Sequence, residues 1–309
     1  MIDHDAVSAW LAETATMREP IALKRIGQGQ SNLTFLATDA DGRRVVLRRP
    51  PLGELLASAH DVAREHRILA ALDATAVPTP PVVAFTEDPA VTDAPLLAMG
   101  FVDGLVIDDL RDAGRTGGAL PRALATIHAV DLGETGLLDL ASHEPYAARQ
   151  LRRWRRQWEG SRTREVPEVT ALADRLEAAI PEQRELTLVH GDFHVLNVIL
   201  APDAREVRAV LDWELCTLGD PLADVGGLLA YWPEAPVEEY MRASGRDVTA
   251  HELAFWHALG LWKVAVILEG IRRRALDDPR NVPADGPPDT RMLDGLVERA
   301  RTVAEAAGF

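Results

Sequence analysis

The segment of residues 188 to 227 places the strictest limits on the fold. It reads LVHGDFHVLNVILAPDAREVRAVLDWELCTLGDPLADVGG, in which short apolar runs are bounded by polar side chains. Asp192 follows the first run, Asn197 precedes the second, and Asp212 follows the third. Such runs are typical of short β-strands, so the segment predicts β-structure that presents three oxygen-bearing side chains at strand ends.

The spacing of these side chains suits phosphoryl transfer from a nucleotide. Asp192 and Asn197 are five residues apart, and Asp212 follows fifteen residues later, across one predicted hairpin. Phosphoryl transfer needs one carboxylate that accepts the proton of the attacking hydroxyl, and a carboxylate and an amide that hold Mg²⁺ against the phosphates. We therefore predict Asp192 as the catalytic residue and Asn197 and Asp212 as metal ligands.

Two motifs resemble the aminoglycoside phosphotransferase family of small-molecule kinases. Residues 190–197 match the H-G-D-x-H-x-x-N hallmark, and residues 212–214 match its D-W-E element. The longer string VLDWELCTLGDPLADVG resembles the branch with kinase-like domains fused to some acyl-CoA dehydrogenases. The resemblance implies an α+β class and a two-lobed, protein-kinase-like fold. The N-terminal lobe would hold an antiparallel sheet with a helix, and the C-terminal lobe would be mainly helical.

A small polar loop lies between two predicted strands, Ile21–Ile26 and Leu33–Thr38, and a third strand follows at Arg44–Arg48. In kinases a loop in this position folds over the phosphates of ATP, because glycine lets backbone N–H groups approach an anion. The predicted phosphate-contacting residues are Gly27, Gln28, Gly29, Ser31 and Asn32.

An arginine stands where kinases carry a lysine on the third strand. Arg48 is the predicted cation for the nucleotide phosphates, with a strand-end surface arginine as the plainer alternative. Strand alternation places Arg49 on the opposite face. Glu65 lies on a helix predicted over His60–Leu72, and we expect it to pair with Arg48, as the corresponding helix glutamate does in kinases.

The resemblance also places a hinge at Met99–Gly104. There the backbone groups of Gly100 and Val102 are expected to contact the adenine edge. The boundary falls near Asp103, which gives a nucleotide-binding lobe of residues 1–102 and a catalytic and substrate-binding lobe of residues 103–309.

Helices are predicted for most of the C-terminal part. One of them, Tyr146–Trp158, carries five arginines, which we interpret as a solvated face, with contact to an anionic substrate as the alternative. Only eleven residues separate Asp212 from Asp224, too few for the activation segment of a peptide-docking protein kinase. Asp224 is expected to brace the catalytic loop. Lys263, on a predicted helix over residues 250–275, is one of several polar groups that could meet substrate.

Composition limits the possible partners. The net charge of −15 argues against nucleic acid, and no apolar run approaches the roughly 20 residues of a membrane span, so no membrane partner is expected. The single cysteine, Cys216, and an N-terminus without the pattern of a signal peptide suit the cytoplasm. Nothing in the sequence indicates the oligomeric state.

The predicted function is an ATP-dependent phosphotransferase that uses Mg²⁺. The acceptor would be a hydroxyl of a small molecule: a hydroxy acid or hydroxyacyl compound, an amino alcohol, a sugar or an aminoglycoside-like compound. One alternative is a catalytically silent nucleotide-binding regulator with the same fold, and another is an interaction scaffold. His190 and His194 are expected to be structural, and Glu214 ranks below the other acidic candidates.

Overall fold

An antiparallel sheet of five strands forms the N-terminal part of the protein, in the spatial order β1-β2-β3-β5-β4. The computed structural model describes residues 3–27, 32–50, 61–278, 281–283 and 286–309. The strands are β1 (Ala22–Ile26), β2 (Leu33–Thr38), β3 (Arg44–Arg49), β4 (Val82–Thr86) and β5 (Leu96–Gly100). β3 lies at the centre of the sheet, so both of its edges are hydrogen-bonded to neighbouring strands.

Two helices cover this sheet. Helix α1 (His4–Thr14) packs Val7 and Leu11 against one face, in a buried cluster that includes Leu47 of β3. Helix α2 (Val62–Leu72) contacts β4 and β5 and belongs to a separate buried cluster. Each helix begins at an aspartate whose carboxylate accepts backbone N–H groups of the first turn, which satisfies donors that otherwise lack partners.

Most of the C-terminal part is helical. The helices are α3 (Ala119–Ile127), α4 (Tyr146–Ser161), α5 (Pro167–Ala178), α6 (Leu222–Tyr231), α7 (Val237–Ser244), α8 (Ala250–Asp277) and α9 (Thr290–Ala306). Four short strands lie among them: β6 (Thr187–Val189), β7 (Val198–Leu200), β8 (Val207–Val210) and β9 (Thr217–Gly219). β6 pairs with β9 and β7 with β8, both antiparallel, so the predicted strands of the 188–227 segment are present.

Helices α6 and α8 approach each other closely, and this contact brings two side chains to the predicted catalytic segment, residues 188–227. A Cβ atom on Gly226 would lie 2.3 Å from the backbone of Trp256, and one on Gly260 would lie 2.7 Å from the carbonyl oxygen of Gly226. Only glycine fits at these two positions. The close packing carries Tyr231 of α6 and Lys263 of α8 toward the loop that contains Asp192.

One large buried cluster joins the two parts of the protein. Ile68 and Leu69 of α2 belong to it together with Leu188, Phe193 and Trp213 of the catalytic segment. Trp213 has no exposed surface, and its indole N–H donates to the carbonyl oxygen of Val210 at 3.0 Å. The catalytic segment is therefore packed against α2 through apolar contacts on its inner side.

Helix α8 qualifies the expectation that no apolar stretch of the chain approaches the length of a membrane span. Among the described helices it is long and apolar enough to cross a membrane, with a mean hydropathy of 1.3 over its best window. However, 67% of that window is buried inside the protein. The apolar character comes from packing against α4, α6 and α9, because a helix buried on most sides is hydrophobic nearly all round.

Candidate active site

The buried carboxylate of Asp224 holds the backbone of the predicted catalytic loop, residues 190–197. The amide groups of His190 and Gly191 donate to the two carboxylate oxygens of Asp224, at 2.7 and 2.8 Å. Asp224 also lies 3.3 Å from Nε2 of His128, whose Nδ1 lies 3.0 Å from the hydroxyl of Tyr240. The prediction that Asp224 braces the loop is confirmed, and His128 and Tyr240 support Asp224 from the other side.

Glycine is required at position 191. Its φ is +85°, and a Cβ atom there would lie 2.7 Å from the carbonyl oxygen of Leu215. Any other residue would meet both backbone strain and a steric clash. The sharp turn at Gly191 places Asp192 at the end of β6, beside the pocket described below.

His190 connects the loop to the strand end before Asp212. Its Nε2–H donates to the carbonyl oxygen of Leu211 at 2.9 Å, and its Nδ1 accepts from the amide of Asp192 at 3.2 Å. These contacts need the neutral imidazole, and burial lowers the pKa of His190 accordingly. The prediction that His190 braces the loop by hydrogen bonds is confirmed.

Both oxygens of the Asp192 carboxylate have a neighbour. The Tyr231 hydroxyl donates to Oδ1 at 3.3 Å, and Nε2 of His194 lies 3.5 Å from Oδ2. Burial alone would raise the pKa of Asp192, but the contact with His194 and the charge of Lys263 outweigh it and lower that pKa. Asp192 is therefore an oriented carboxylate that is ionised at neutral pH.

Hydrogen bonds link Asn197 both to Asp192 and to Leu211, the residue before Asp212. The Asn197 side-chain N–H donates to the carbonyl oxygen of Asp192 at 2.9 Å, and the amide of Leu211 donates to the Asn197 carbonyl oxygen at 2.8 Å. Asp212 has φ +64° and ψ 63°, the left-handed region that costs a non-glycine residue on the order of 1 kcal/mol. The three predicted oxygen donors thus belong to one connected structure.

Arg48 lies between three carboxylates. Its Nε is 2.9 Å from Oε2 of Glu65, and its Nη2 is 2.5 Å from Oδ1 of Asp212 and 3.6 Å from Oε2 of Glu214. The predicted pair between Arg48 and Glu65 is confirmed. Arg49 faces the other side of β3, where it is buried and pairs with Asp93 at 2.7 Å, so the plainer reading of a strand-end surface arginine fits neither residue.

Glu65 also reaches the second motif. Its Oε1 accepts from the backbone N–H of Trp213 at 3.3 Å, which ties α2 to the residue after Asp212. Glu65 is 2% exposed, and burial raises its pKa to about 7 although the charge of Arg48 acts in the opposite direction. The proton occupancy of this buried carboxyl therefore changes near neutral pH.

The residues predicted to bind the nucleotide phosphates are only partly described by the structure. Gln28, Gly29 and Ser31 lie outside the described residues, so their predicted contact with phosphates stays a prediction. Gly27 has a φ of +74° and is exposed at the end of β1. Asn32 begins the opposite side of the loop, where its side-chain N–H donates to Oε2 of Glu214 at 3.2 Å.

One hydrogen bond restricts the contacts that the predicted hinge could make with an adenine. The amide of Gly100 donates to the carbonyl oxygen of Pro81 at 2.8 Å, so Gly100 would offer an adenine edge its carbonyl oxygen rather than its N–H group. Val102 follows in a stretch without regular secondary structure. Asp103, where the lobe boundary was predicted, pairs with Arg44 of β3 at 2.5 Å.

A pocket opens beside Asp192, and Arg48 is not part of its lining. Its cavity volume is about 30 Å³, and it lies between α4, α6, α8 and the loop that contains Asp192. The rings of Tyr146, Trp154, Tyr231 and Trp256 line it together with Lys263. An aromatic wall with few polar groups at one end is typical of a small-molecule site.

Four of the five arginines of α4 fall into two groups. Arg152 pairs with Glu144, and Arg155 pairs with Asp174 and Glu177, as expected for a solvated face. Arg149 instead donates to the carbonyl oxygen of Leu218 at 2.8 Å. Arg153 lies over the ring of Trp154, with its guanidinium carbon 5.2 Å from the ring centroid. The interpretation as a solvated face therefore holds for only part of the helix.

Sequence reasoning missed Tyr231 and gave Lys263 little weight. Tyr231 belongs to neither sequence motif. Its contact with Asp192 depends on the packing of α6 against α8, which only the structure shows. Lys263 had a signal in the composition, because Lys24 and Lys263 are the two lysines of a chain that otherwise uses arginine. A lysine retained on an apolar helix in such a chain would have marked this position.

The family model described as the phosphotransferase enzyme family matches residues 22–258. This range holds β1 to β9, every residue predicted to be catalytic, nucleotide-binding or metal-binding, and most of the pocket lining, but not Lys263. The chain belongs to the phosphotransferase enzyme family.

The curated relatives of this phosphotransferase are longer proteins. Acyl-CoA dehydrogenase family member 10 of Mus musculus is 34% identical over 322 aligned residues, which cover 94% of this chain and 30% of the relative. The probable acyl-CoA dehydrogenase IBR3 of Arabidopsis thaliana is 31% identical, over 89% of this chain and 39% of the relative. This chain thus spans less than half the length of either relative.

Solved structures share the fold. A Ralstonia eutropha protein classed with the aminoglycoside phosphotransferases is 28% identical, with a TM-score of 0.75, and the match covers 99% of this chain and 97% of that one. A mutant aminoglycoside phosphotransferase in ternary complex with AMP-PNP and hygromycin B is 18% identical, with a TM-score of 0.63 over 98% of both chains. The predicted α+β, two-lobed, protein-kinase-like fold is confirmed.

Proposed function

We propose that this phosphotransferase moves the γ-phosphoryl group of ATP to a hydroxyl of a small molecule. The acceptor oxygen attacks the γ-phosphorus, and a new P–O bond forms. The bond between that phosphorus and the β,γ-bridging oxygen breaks, so ADP leaves with the electron pair. The proton of the acceptor hydroxyl passes to the carboxylate of Asp192.

The observation that carries the proposal is the position and state of Asp192. Its carboxylate lines the aromatic pocket, while Tyr231 and His194 hold its two oxygens. A base in this position must be ionised and must be fixed before the acceptor arrives, since most of the rate in phosphoryl transfer comes from positioning and charge stabilisation. The lowered pKa and the hydrogen bonds meet both conditions.

The residues fit Mg²⁺ better than a transition metal. Among the described residues, no group of three or more His, Cys, Asp or Glu side chains could hold a metal ion by itself. Mg²⁺ usually takes one or two protein oxygens and completes its shell with phosphates and water. Asn197, whose amide nitrogen is already bonded to Asp192, and Asp212 would supply such oxygens. The bound ion would neutralise charge on the phosphates.

Two observations favour an anionic acceptor, such as a hydroxy acid or hydroxyacyl compound. Arg64 and Arg149 donate to the carbonyl oxygens of Cys216 and Leu218, and Arg153 lies over Trp154. None of the three forms an ion pair with a described carboxylate, although most arginines of this acidic chain do. The second observation is that the names of the curated relatives refer to acyl-CoA, which is an anionic compound.

The test is a transfer assay with a panel of acceptors. Mg-ATP is incubated with hydroxy acids including 3-hydroxybutyrate, hydroxyacyl thioesters, amino alcohols, sugars and aminoglycosides, and products are identified by mass spectrometry. We expect one phosphoryl group on a hydroxyl, with the highest kcat/KM for an anionic acceptor. ATP turnover with cationic acceptors alone would contradict the anionic class, and no phosphorylated product from any compound would contradict the transferase.

A matched pair of variants on α4 tests the anionic acceptor further. Arg153→Met is expected to raise the KM of the acceptor about tenfold, the effect of one charged hydrogen bond, and to leave the KM of ATP unchanged. Arg152→Met, on the same helix but paired with Glu144, should leave both constants unchanged. Equal effects of the two substitutions would show that the charge of the helix matters and the position of Arg153 does not.

A further inference from the structure

Lys263 is unusual for this chain in both type and environment. It is one of two lysines, and the other, Lys24, is exposed on β1. Lys263 lies on α8, part-buried in the wall of the aromatic pocket, with its Nζ 5.3 Å from the centroid of the Trp154 ring. A strongly hydrated ammonium is costly to desolvate, so its place here calls for an explanation other than solubility.

The ammonium of Lys263 bonds to backbone and not to a carboxylate. Its Nζ donates to the carbonyl oxygen of Gly191. Asp192 and Asp224 are near enough for their charges to act on it, yet neither forms an ion pair with it. The described carboxylates closest to Lys263 are already engaged, Asp192 by Tyr231 and His194 and Asp224 by two backbone amides.

The contact fixes the peptide group that precedes the catalytic aspartate. The carbonyl oxygen of Gly191 and the N–H of Asp192 belong to one planar peptide. Lys263 binds the carbonyl end, and Nδ1 of His190 accepts the N–H end at 3.2 Å. On the other side of Asp192, its own carbonyl oxygen accepts from Asn197 at 2.9 Å. Both peptides that flank Asp192 are therefore held.

We propose that Lys263 is a positioning residue for phosphoryl transfer, which acts by holding the Gly191 carbonyl so that the Asp192 carboxylate faces the acceptor pocket. The contact crosses from α8 to the catalytic loop, so the geometry of the base is linked to the helix that forms the pocket wall. This inference rests on the proposed function. It adds a residue that the two sequence motifs do not contain.

A variant series separates positioning from substrate binding and from stability. In Lys263→Met the side chain at position 263 keeps an apolar stem but loses the ammonium group that donates to the Gly191 carbonyl. With Mg-ATP and 3-hydroxybutyrate, or the panel acceptor with the highest kcat/KM, kcat should fall about tenfold to a hundredfold. The KM values of ATP and acceptor should stay within about threefold, because the loss concerns the transition state more than ground-state binding. Lys263→Arg, which keeps a donor, should retain more activity than Lys263→Met.

The control is Lys24→Met, which changes the other lysine and should leave kcat and both KM values unchanged. An unchanged kcat in folded Lys263→Met would overturn the inference. So would a rise in the KM of the acceptor at constant kcat, because that pattern assigns Lys263 to substrate binding. A wild-type protein without any phosphotransfer would instead sink the proposed function.

A measurement on the wild type covers the case in which Lys263→Met does not fold. Labelling with ¹⁵N-lysine gives two side-chain signals, since the chain has two lysines. Lys263 should give an NH₃⁺ signal that exchanges slowly with water, and Lys24→Arg should leave that signal in place. Fast exchange of both ammonium groups would contradict a persistent bond to the Gly191 carbonyl.

Discussion

The two sides of the candidate site are held by different kinds of interaction. On the acceptor side, the loop around Asp192 is fixed mostly by hydrogen bonds between backbone groups and buried side chains, above all those of Asp224 and His190. On the nucleotide side, Arg48 is shared among the carboxylates of Glu65, Asp212 and Glu214. The first arrangement is complete without any ligand, whereas the second is an ion network that phosphates and a cation would have to rearrange.

This difference teaches which substitutions should act on rate and which on nucleotide binding. A hydrogen-bonded loop is preorganised, so its loss lowers the rate of a step that depends on alignment. An ion network changes its pairings when a charged ligand enters, so its loss changes affinity for that ligand. The predictions below test this division, from the largest expected effect to the smallest.

Among the residues that support the loop around Asp192 from behind, Asp224 should show the largest effect when it is changed to asparagine. The asparagine side chain offers one acceptor oxygen where the carboxylate offers two, so one amide of His190 or Gly191 loses its acceptor. We expect kcat to fall about a hundredfold with the KM of ATP unchanged, and the free energy of unfolding to fall by about 2 kcal/mol. Steady-state kinetics and urea unfolding measure the two effects. A raised KM of ATP at unchanged kcat would reverse the division between the two sides.

Arg48→Met should have the largest effect on the nucleotide side. Loss of the guanidinium leaves the phosphates without their predicted cation, and the KM of ATP should rise about tenfold while the KM of the acceptor stays constant. Arg48→Lys should recover only part of the loss, because an ammonium cannot reproduce the fork of contacts to Glu65 and Asp212. Arg25→Met, at an exposed position of β1, serves as the control.

The smallest effect concerns the pH dependence of stability through Glu65. Its pKa is raised in the folded protein from 4.5 to about 7, so the folded state binds this proton more tightly than the unfolded state does. The stability that this proton contributes is complete below pH 4.5 and is lost as the pH rises through about 7. The wild type should lose stability relative to Glu65→Gln across that window. Parallel pH profiles of the two proteins would show that Glu65 is ionised throughout.

The sequence predicted the elements that local patterns determine. The strands around Asp192, Asn197 and Asp212 could be predicted because each apolar run begins or ends next to a polar motif residue. The pairing of Arg48 with Glu65 followed from the resemblance, and the bracing role of Asp224 from the shortness of the segment after Asp212. In these cases the residues that carry the information are close in the chain or belong to a known motif.

The rest depended on contacts between distant parts of the chain. Tyr231 and Lys263 reach the predicted catalytic loop because Gly226 and Gly260 let α6 and α8 approach closely. No local sequence pattern predicts that approach. The two groups of arginines on α4 look alike in the sequence, but they differ in whether a carboxylate, a strand carbonyl or an aromatic ring lies opposite. Such differences are set by packing and so become visible only in the folded structure.

The measurement that tests the central claim most directly is calorimetric titration of Mg–AMP-PNP into the wild type, Asp192→Asn and Asp212→Asn. The account assigns Asp212 to the metal and nucleotide and Asp192 to the acceptor proton. It predicts that Asp192→Asn binds within about threefold of the wild type while losing about a thousandfold in turnover, and that Asp212→Asn loses at least tenfold in affinity. Equal affinities of Asp212→Asn and the wild type, or full turnover by Asp192→Asn, would contradict it.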